Sequence, residues 1–204
     1  MSGTNNGDDR PRSLSDPDVR RRRVAMLTES HIAPLTQFVE DLQARNVGEV
    51  PWFDPLDGGV KAKALFLLEK PGPMTVEPEG SGFISRDNDD PTAEAIHTFM
   101  LDAGLDRKDV VIWNVIPAWN GTRDITGPEL SAGINHLGAL IDLLPDLRLV
   151  MIVGRKAAKA IPHIHDRGIR VFESFHPSPI VKASNRTSWD AIPSEWSKIK
   201  PYLT

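Results

Sequence analysis

Four short, almost continuously apolar runs, separated by segments of helical periodicity, constrain this chain more than any other feature. They are KAKALFLLE (61–69), DVVIWNVIP (109–117), LRLVMIVG (147–154) and IRVFESF (169–175). Strands with no polar alternation are buried on both faces, and helical segments between them supply the cover. PTAEAIHTFMLDAG (91–104) has Asp90 as a natural N-cap and Gly104 as a natural stop. GPELSAGINHLGALIDLLP (127–145) carries Pro128 in its first turn, RKAAKAIPHI (155–164) is a shorter helix, and apolar residues from Leu35 to Leu42 place another over about 31–45. The predicted fold is α/β, a three-layer α/β/α sandwich around a four-stranded, mainly parallel sheet with right-handed crossovers.

At 204 residues and 40% apolar content, one domain suffices. Residues 1–17 are polar and rich in Gly, Ser, Asn and Asp, so a disordered tail is expected there, with the folded domain over 18–204. VPWFDPLDGGV (50–60) breaks every regular pattern and reads as a structured loop with Trp52 and Phe53 against the core. Trp189 and Trp196 read as packing anchors for the C-terminal segment. No apolar run approaches the roughly 18 residues of a membrane span, and the Arg-rich N-terminus is no secretory signal, so a cytoplasmic protein is expected; a monomer is the expected state, though no sequence feature fixes it.

Zero cysteines exclude disulfides, a cysteine nucleophile and a thiolate-held cluster. The net charge of −4 argues against a nonspecific coat for nucleic acid, though not against a local basic groove. No cluster has metal-ligand spacing, so neither metal nor cofactor is expected. His97, His136, His163 and His165 lie in or at the ends of helices and are assigned no role.

In a parallel sheet, ligands bind at the carboxyl ends of the strands, where strand order reverses. The residues there are EKPGP (Glu69 to Pro73), WNVIPAWN (113–120), VGRKA (153–157) and HPSP (176–179). A Pro-Gly loop after the first strand, Gly82–Phe83 before a helix, AGLDRKDVVIWN and a final HPSP, in that order over about 60–182, resemble the uracil-DNA glycosylase superfamily. The resemblance implies a DNA glycosylase that flips uracil or a related deaminated base and hydrolyses its N-glycosidic bond, with DNA containing such a base as partner. It puts Glu69 to Pro73 against the target nucleotide and its water, Phe83 under the flipped base, Asn114 at the uracil edge, His176 at the pyrimidine O2, and Ser178 on a phosphate.

Those residue types suit the chemistry. Cleavage leaves negative charge on the pyrimidine, and His176 can donate to it. An asparagine amide offers both the donor and the acceptor that uracil's O4 and N3–H require. Gly72, Pro73, Ser178, Lys182 and Arg186 are the expected phosphate contacts, and Ile180–Val181 a candidate wedge.

Two departures stand out. Many relatives carry Asp or Asn where this chain has Lys70, which joins Phe83 and Asn114 as an expected base-side residue and reads equally as a solvated charge, an ion pair or a phosphate contact. Leu68 replaces the first-motif glycine. The expected water-activating group is therefore Glu69, with a carboxylate of SRDNDD (Asp87, Asp89 or Asp90) second. Two alternatives stay open: a member that binds uracil-containing or single-stranded DNA without hydrolysis, and an enzyme acting on free nucleosides or nucleotides.

Overall fold

The apolar runs form strands and the periodic segments form helices in the computed structural model, which describes residues 7–45 and 47–204. In chain order these are α1 (Pro17–Ala25), α2 (Ala33–Gln43), β1 (Trp52–Phe53), β2 (Ala64–Leu68), β3 (Phe83–Ile84), α3 (Pro91–Asp102), β4 (Val110–Asn114), α4 (Gly127–Asp142), β5 (Leu149–Val153), α5 (Ile161–His165), β6 (Arg170–Ser174), α6 (Pro179–Ser184) and α7 (Arg186–Ser197). The main sheet runs β4-β2-β5-β6 with every pair parallel. Its order reverses between β2 and β5, which places the crevice at the carboxyl ends of those two strands.

Strands β2, β4 and β5 are buried at every position, as two covered faces require. On one face, Phe66 meets Trp196 of α7 at 5.0 Å between ring centroids, and Phe99 of α3 meets Trp189 at 5.0 Å. Trp113, paired with Leu67 and so pointing the other way, stacks on Phe53 at 4.0 Å and meets Phe38 of α2 edge-on. The expected three layers are thus present, and Trp189 and Trp196 anchor the C-terminal segment.

The helix signals are used as read. Asp90 accepts from Thr92 N and Ala93 N at the start of α3, and Gly104 ends it at φ 64°. Thr126 and Glu129 form a capping box on either side of Pro128 at the start of α4. Among the described residues no helix is long and apolar enough to cross a membrane.

Two expectations need correction. The 50–60 loop contains strand β1, which pairs in parallel with β3 as a separate two-stranded ribbon. The expected tail is not disordered from residue 7 onward, while residues 1–6 lie outside the described residues. Leu14 is buried, its N–H donates to Asp87 O at 3.1 Å, and Asp9 pairs with Arg86 and Arg107. Polar composition hid this, because ion pairs rather than a long apolar stripe hold the segment.

Candidate active site

A cleft of about 700 Å³ opens at the carboxyl ends of β2, β5 and β6. Three strand ends converge there through one glycine. Gly154 follows β5 at φ 101°, in the left-handed region, and a Cβ on it would stand 2.8 Å from Glu69 Oε1 and 3.3 Å from His176 Cβ. Glu69, next after β2, and His176, two residues past β6, therefore flank that bare Cα. The carboxylate is fixed by Lys156, whose backbone N–H donates to Glu69 Oε1 at 2.9 Å.

The HPSP loop is locked from within. Ser178 N–H donates to His176 O at 2.8 Å, and the Ser178 hydroxyl caps α6 by accepting from Val181 N. The serine's backbone N–H is thus already used, which leaves only its hydroxyl proton for a phosphate. Burial holds the His176 pKa below the ordinary 6.5; Glu69 and then Asp90 pull it upward without cancelling burial, and Arg123 pushes it down again. The imidazole is neutral at neutral pH.

Cations line this cleft without partners. Arg123, Arg155 and Lys156 all face it, and none of their side chains hydrogen-bonds or ion-pairs among the described residues. Sequence reasoning assigned them no role. The signal was present for two of them, in the VGRKA strand end, but pairing is invisible in sequence.

Lys70 also reaches the cleft, yet its ammonium donates to Asn120 Oδ1 (2.7 Å), Asp124 O (2.9 Å) and Glu129 Oε1 (2.9 Å). All three hydrogens are committed, so the expected base-side role of Lys70 is corrected to a structural ion pair. That pairing holds the Glu129 carboxyl down at about 2 and pins the loop that carries Arg123.

Other expected residues do not line the cleft. Phe83 is 0% exposed, packed under Leu14, Val19 and Leu27 by the β1–β3 ribbon. It lines a separate groove with Trp52, not the cleft. Asp87 is equally buried, held by Arg23 and Arg107 at 2.8 Å each and by His97 at 3.0 Å, so it cannot reach a water over the cleft. Asp89 pairs with Arg12, which removes it from the same role, whereas Asp90 caps α3 through Oδ1 alone and lies near enough to His176 to pull its pKa upward, so this second-choice carboxylate is not removed. Asn114, at the end of β4 opposite Leu68, is nearly buried and does not line the cleft, and its amide has no hydrogen-bond partner among the described residues.

The expected phosphate contacts scatter. Gly72 lies beneath Arg123, with Nη2 3.9 Å from where a Cβ would sit, and Pro73 opens a single 3-10 turn; neither faces the cleft. Lys182 lies 5.3 Å over the Trp189 ring, and exposed Arg186 pairs with Asp190. Asp9, Asp87 and His97 offer ligand atoms within 4.8 Å of one another, but Arg23, Arg86 and Arg107 already share those carboxylates, which a metal cation would have to displace.

The comparisons agree with this architecture. The family model for the uracil DNA glycosylase superfamily matches residues 57–199. The solution NMR structure of a candidate uracil DNA glycosylase from Methanosarcina acetivorans superposes with a TM-score of 0.51 at 18% identity, over 71% of this chain and 92% of that one. No curated protein matches the chain. At that identity the superposition speaks for the fold, and the family model, spanning well over half the sequence, for descent: the chain belongs to the uracil DNA glycosylase superfamily.

Proposed function

We propose that this chain is a DNA glycosylase that takes an extruded base, uracil or a related deaminated base, and hydrolyses its N-glycosidic bond. The observation that carries this reading is the placement of His176 and Glu69 on either side of Gly154, in a cleft lined by cations that have no partner among the described residues. As the bond breaks, its electron pair leaves with the pyrimidine and charge gathers at O2. The N–H of a neutral imidazole aimed there stabilises the anion by a hydrogen bond, without giving up its proton. Water adds to the sugar carbon, Glu69 accepts its proton, and the departing base takes up a proton in turn. Arg123, Arg155 and Lys156 neutralise the phosphates of the strand. Asn114, nearly buried at the end of β4 and outside the cleft lining, has no part in this reading.

An oligonucleotide with a single uracil, incubated with protein and treated with hot alkali, tests this. Strand cleavage is expected for wild type, and a loss of about 10²–10³ in turnover for His176→Ala, the usual cost of one donor to a developing oxyanion. Wild-type cleavage by that variant overturns the assignment. Companion substrates with hypoxanthine, xanthine or mismatched thymine define the base accepted.

The placement of Lys70 favours one other reading. Where relatives carry Asp or Asn, this chain has an ammonium locked to Glu129, and that loss fits a member that binds without hydrolysing. A gel shift with no base release selects it.

A further inference from the structure

The resemblance puts a base against Phe83, yet Phe83 is sealed beneath the N-terminal segment. A base drawn into the cleft needs another surface. Two aromatic side chains of the described residues are at least a third exposed, Phe175 at 43% and Tyr202 at 36%. Tyr202 is already covered, by the Arg170 guanidinium 4.4 Å above its ring and by Phe172. Phe175 has no aromatic or cationic partner among the described residues, lines the cleft, and immediately precedes His176. Ile180, 77% exposed, stands across the HPSP loop on the same cleft.

We propose that Phe175 is the platform on which an unpaired base of the bound strand stacks, with Arg155 and Lys156 on the adjoining phosphates. An aromatic ring beside unpaired cations is the combination that holds single-stranded nucleic acid, because each base offers a π-face whatever its hydrogen-bonding edge. Phe172, three residues earlier in β6, is by contrast only partly exposed and rests on Tyr202. The proposal rests on the glycosylase reading only in taking a nucleobase as the occupant.

Fluorescence anisotropy of a labelled single-stranded oligonucleotide carrying one uracil tests it, with wild type and Phe175→Ala, Phe175→Leu and Phe175→Trp. Alanine and leucine are expected to weaken binding on the order of tenfold and tryptophan to retain it, since leucine keeps apolar bulk but no π-face. Thermal unfolding of each variant separates binding loss from misfolding. Wild-type affinity in the alanine or leucine variant, or no binding by wild type, overturns the proposal. Base release from the same oligonucleotide divides the two readings. Release with binding indifferent to Phe175 sinks the platform and spares the glycosylase; Phe175-dependent binding without release does the reverse.

Discussion

Charge is concentrated in two regions, and they are built on opposite rules. Around Arg107, four aspartates (Asp9, Asp54, Asp57, Asp87) meet Arg23, Arg86 and Arg107 in a mostly buried lattice. In the cleft, Arg123, Arg155 and Lys156 stand exposed and unpaired among the described residues. The lattice joins four distant pieces of chain: the N-terminal segment, the 52–57 loop, the turn after β3 and the turn before β4. Dense, short-range pairing thus marks a structural joint here, whereas the cleft cations have no such structural use among the described residues, which is why the proposed function gives them an anionic ligand.

The sharpest way to break that contrast is to remove one cation from each region. Arg107→Ala leaves Asp54, Asp57 and Asp87 buried with too little positive charge, and should cost about 3–5 kcal/mol in urea unfolding, enough to unfold a marginal domain. Arg155→Ala should shift stability by no more than about 0.5 kcal/mol, as for an exposed side chain without partners. Equal effects on stability would erase the distinction.

The contrast also explains what was legible in the sequence. Continuous apolar runs and capping residues such as Asp90 and Pro128 located the sheet and its helices, because burial and capping are written locally. The HPSP and EKPGP strand ends put His176 and Glu69 at the carboxyl edge of the sheet for the same reason: topology fixes where a strand ends. Phe83, Asp87 and Lys70 were misassigned because their surroundings come from far along the chain. Leu14 lies over Phe83, Arg23 over Asp87 and Glu129 over Lys70. An ordered sequence of motifs says which strand carries a residue, not what arrives on top of it.

A second test concerns the cleft alone. If its cations contact phosphates, Arg155→Ala and Lys156→Ala should each lower the slope of log K against log salt by about 0.7 for a single-stranded ligand. The same measurement on Lys182→Ala, whose ammonium already lies over Trp189, should leave the slope nearly unchanged. A slope that answers to Lys182 but not to Arg155 would move the binding surface from the cleft to α6.

The smallest expected effect lies inside the lattice, where the aspartates are not equivalent. Burial pushes the Asp57 carboxyl up to about 7, and neighbouring Asp54 adds to this against the pull of Arg107. Asp54, between Arg107 and Arg23, is instead held well below the ordinary range, although burial opposes it. The signs follow from linkage. A raised folded-state pKa gives stability that is full below the ordinary 3.8 and fades as pH climbs toward 7, whereas a lowered one gives stability present above 3.8 and lost in acid. Asn at position 57 imitates the protonated acid. Asp57→Asn should therefore gain on wild type as pH rises from about 4 to 7, and the gain should level off beyond. Asp54→Asn should lose instead, most at neutral pH, because Arg23 and Arg107 each forfeit a charged partner. Paired denaturation curves at pH 5 and pH 8 separate these outcomes. Parallel behaviour of the two variants would mean the lattice shares its protons evenly and has no preferred acid.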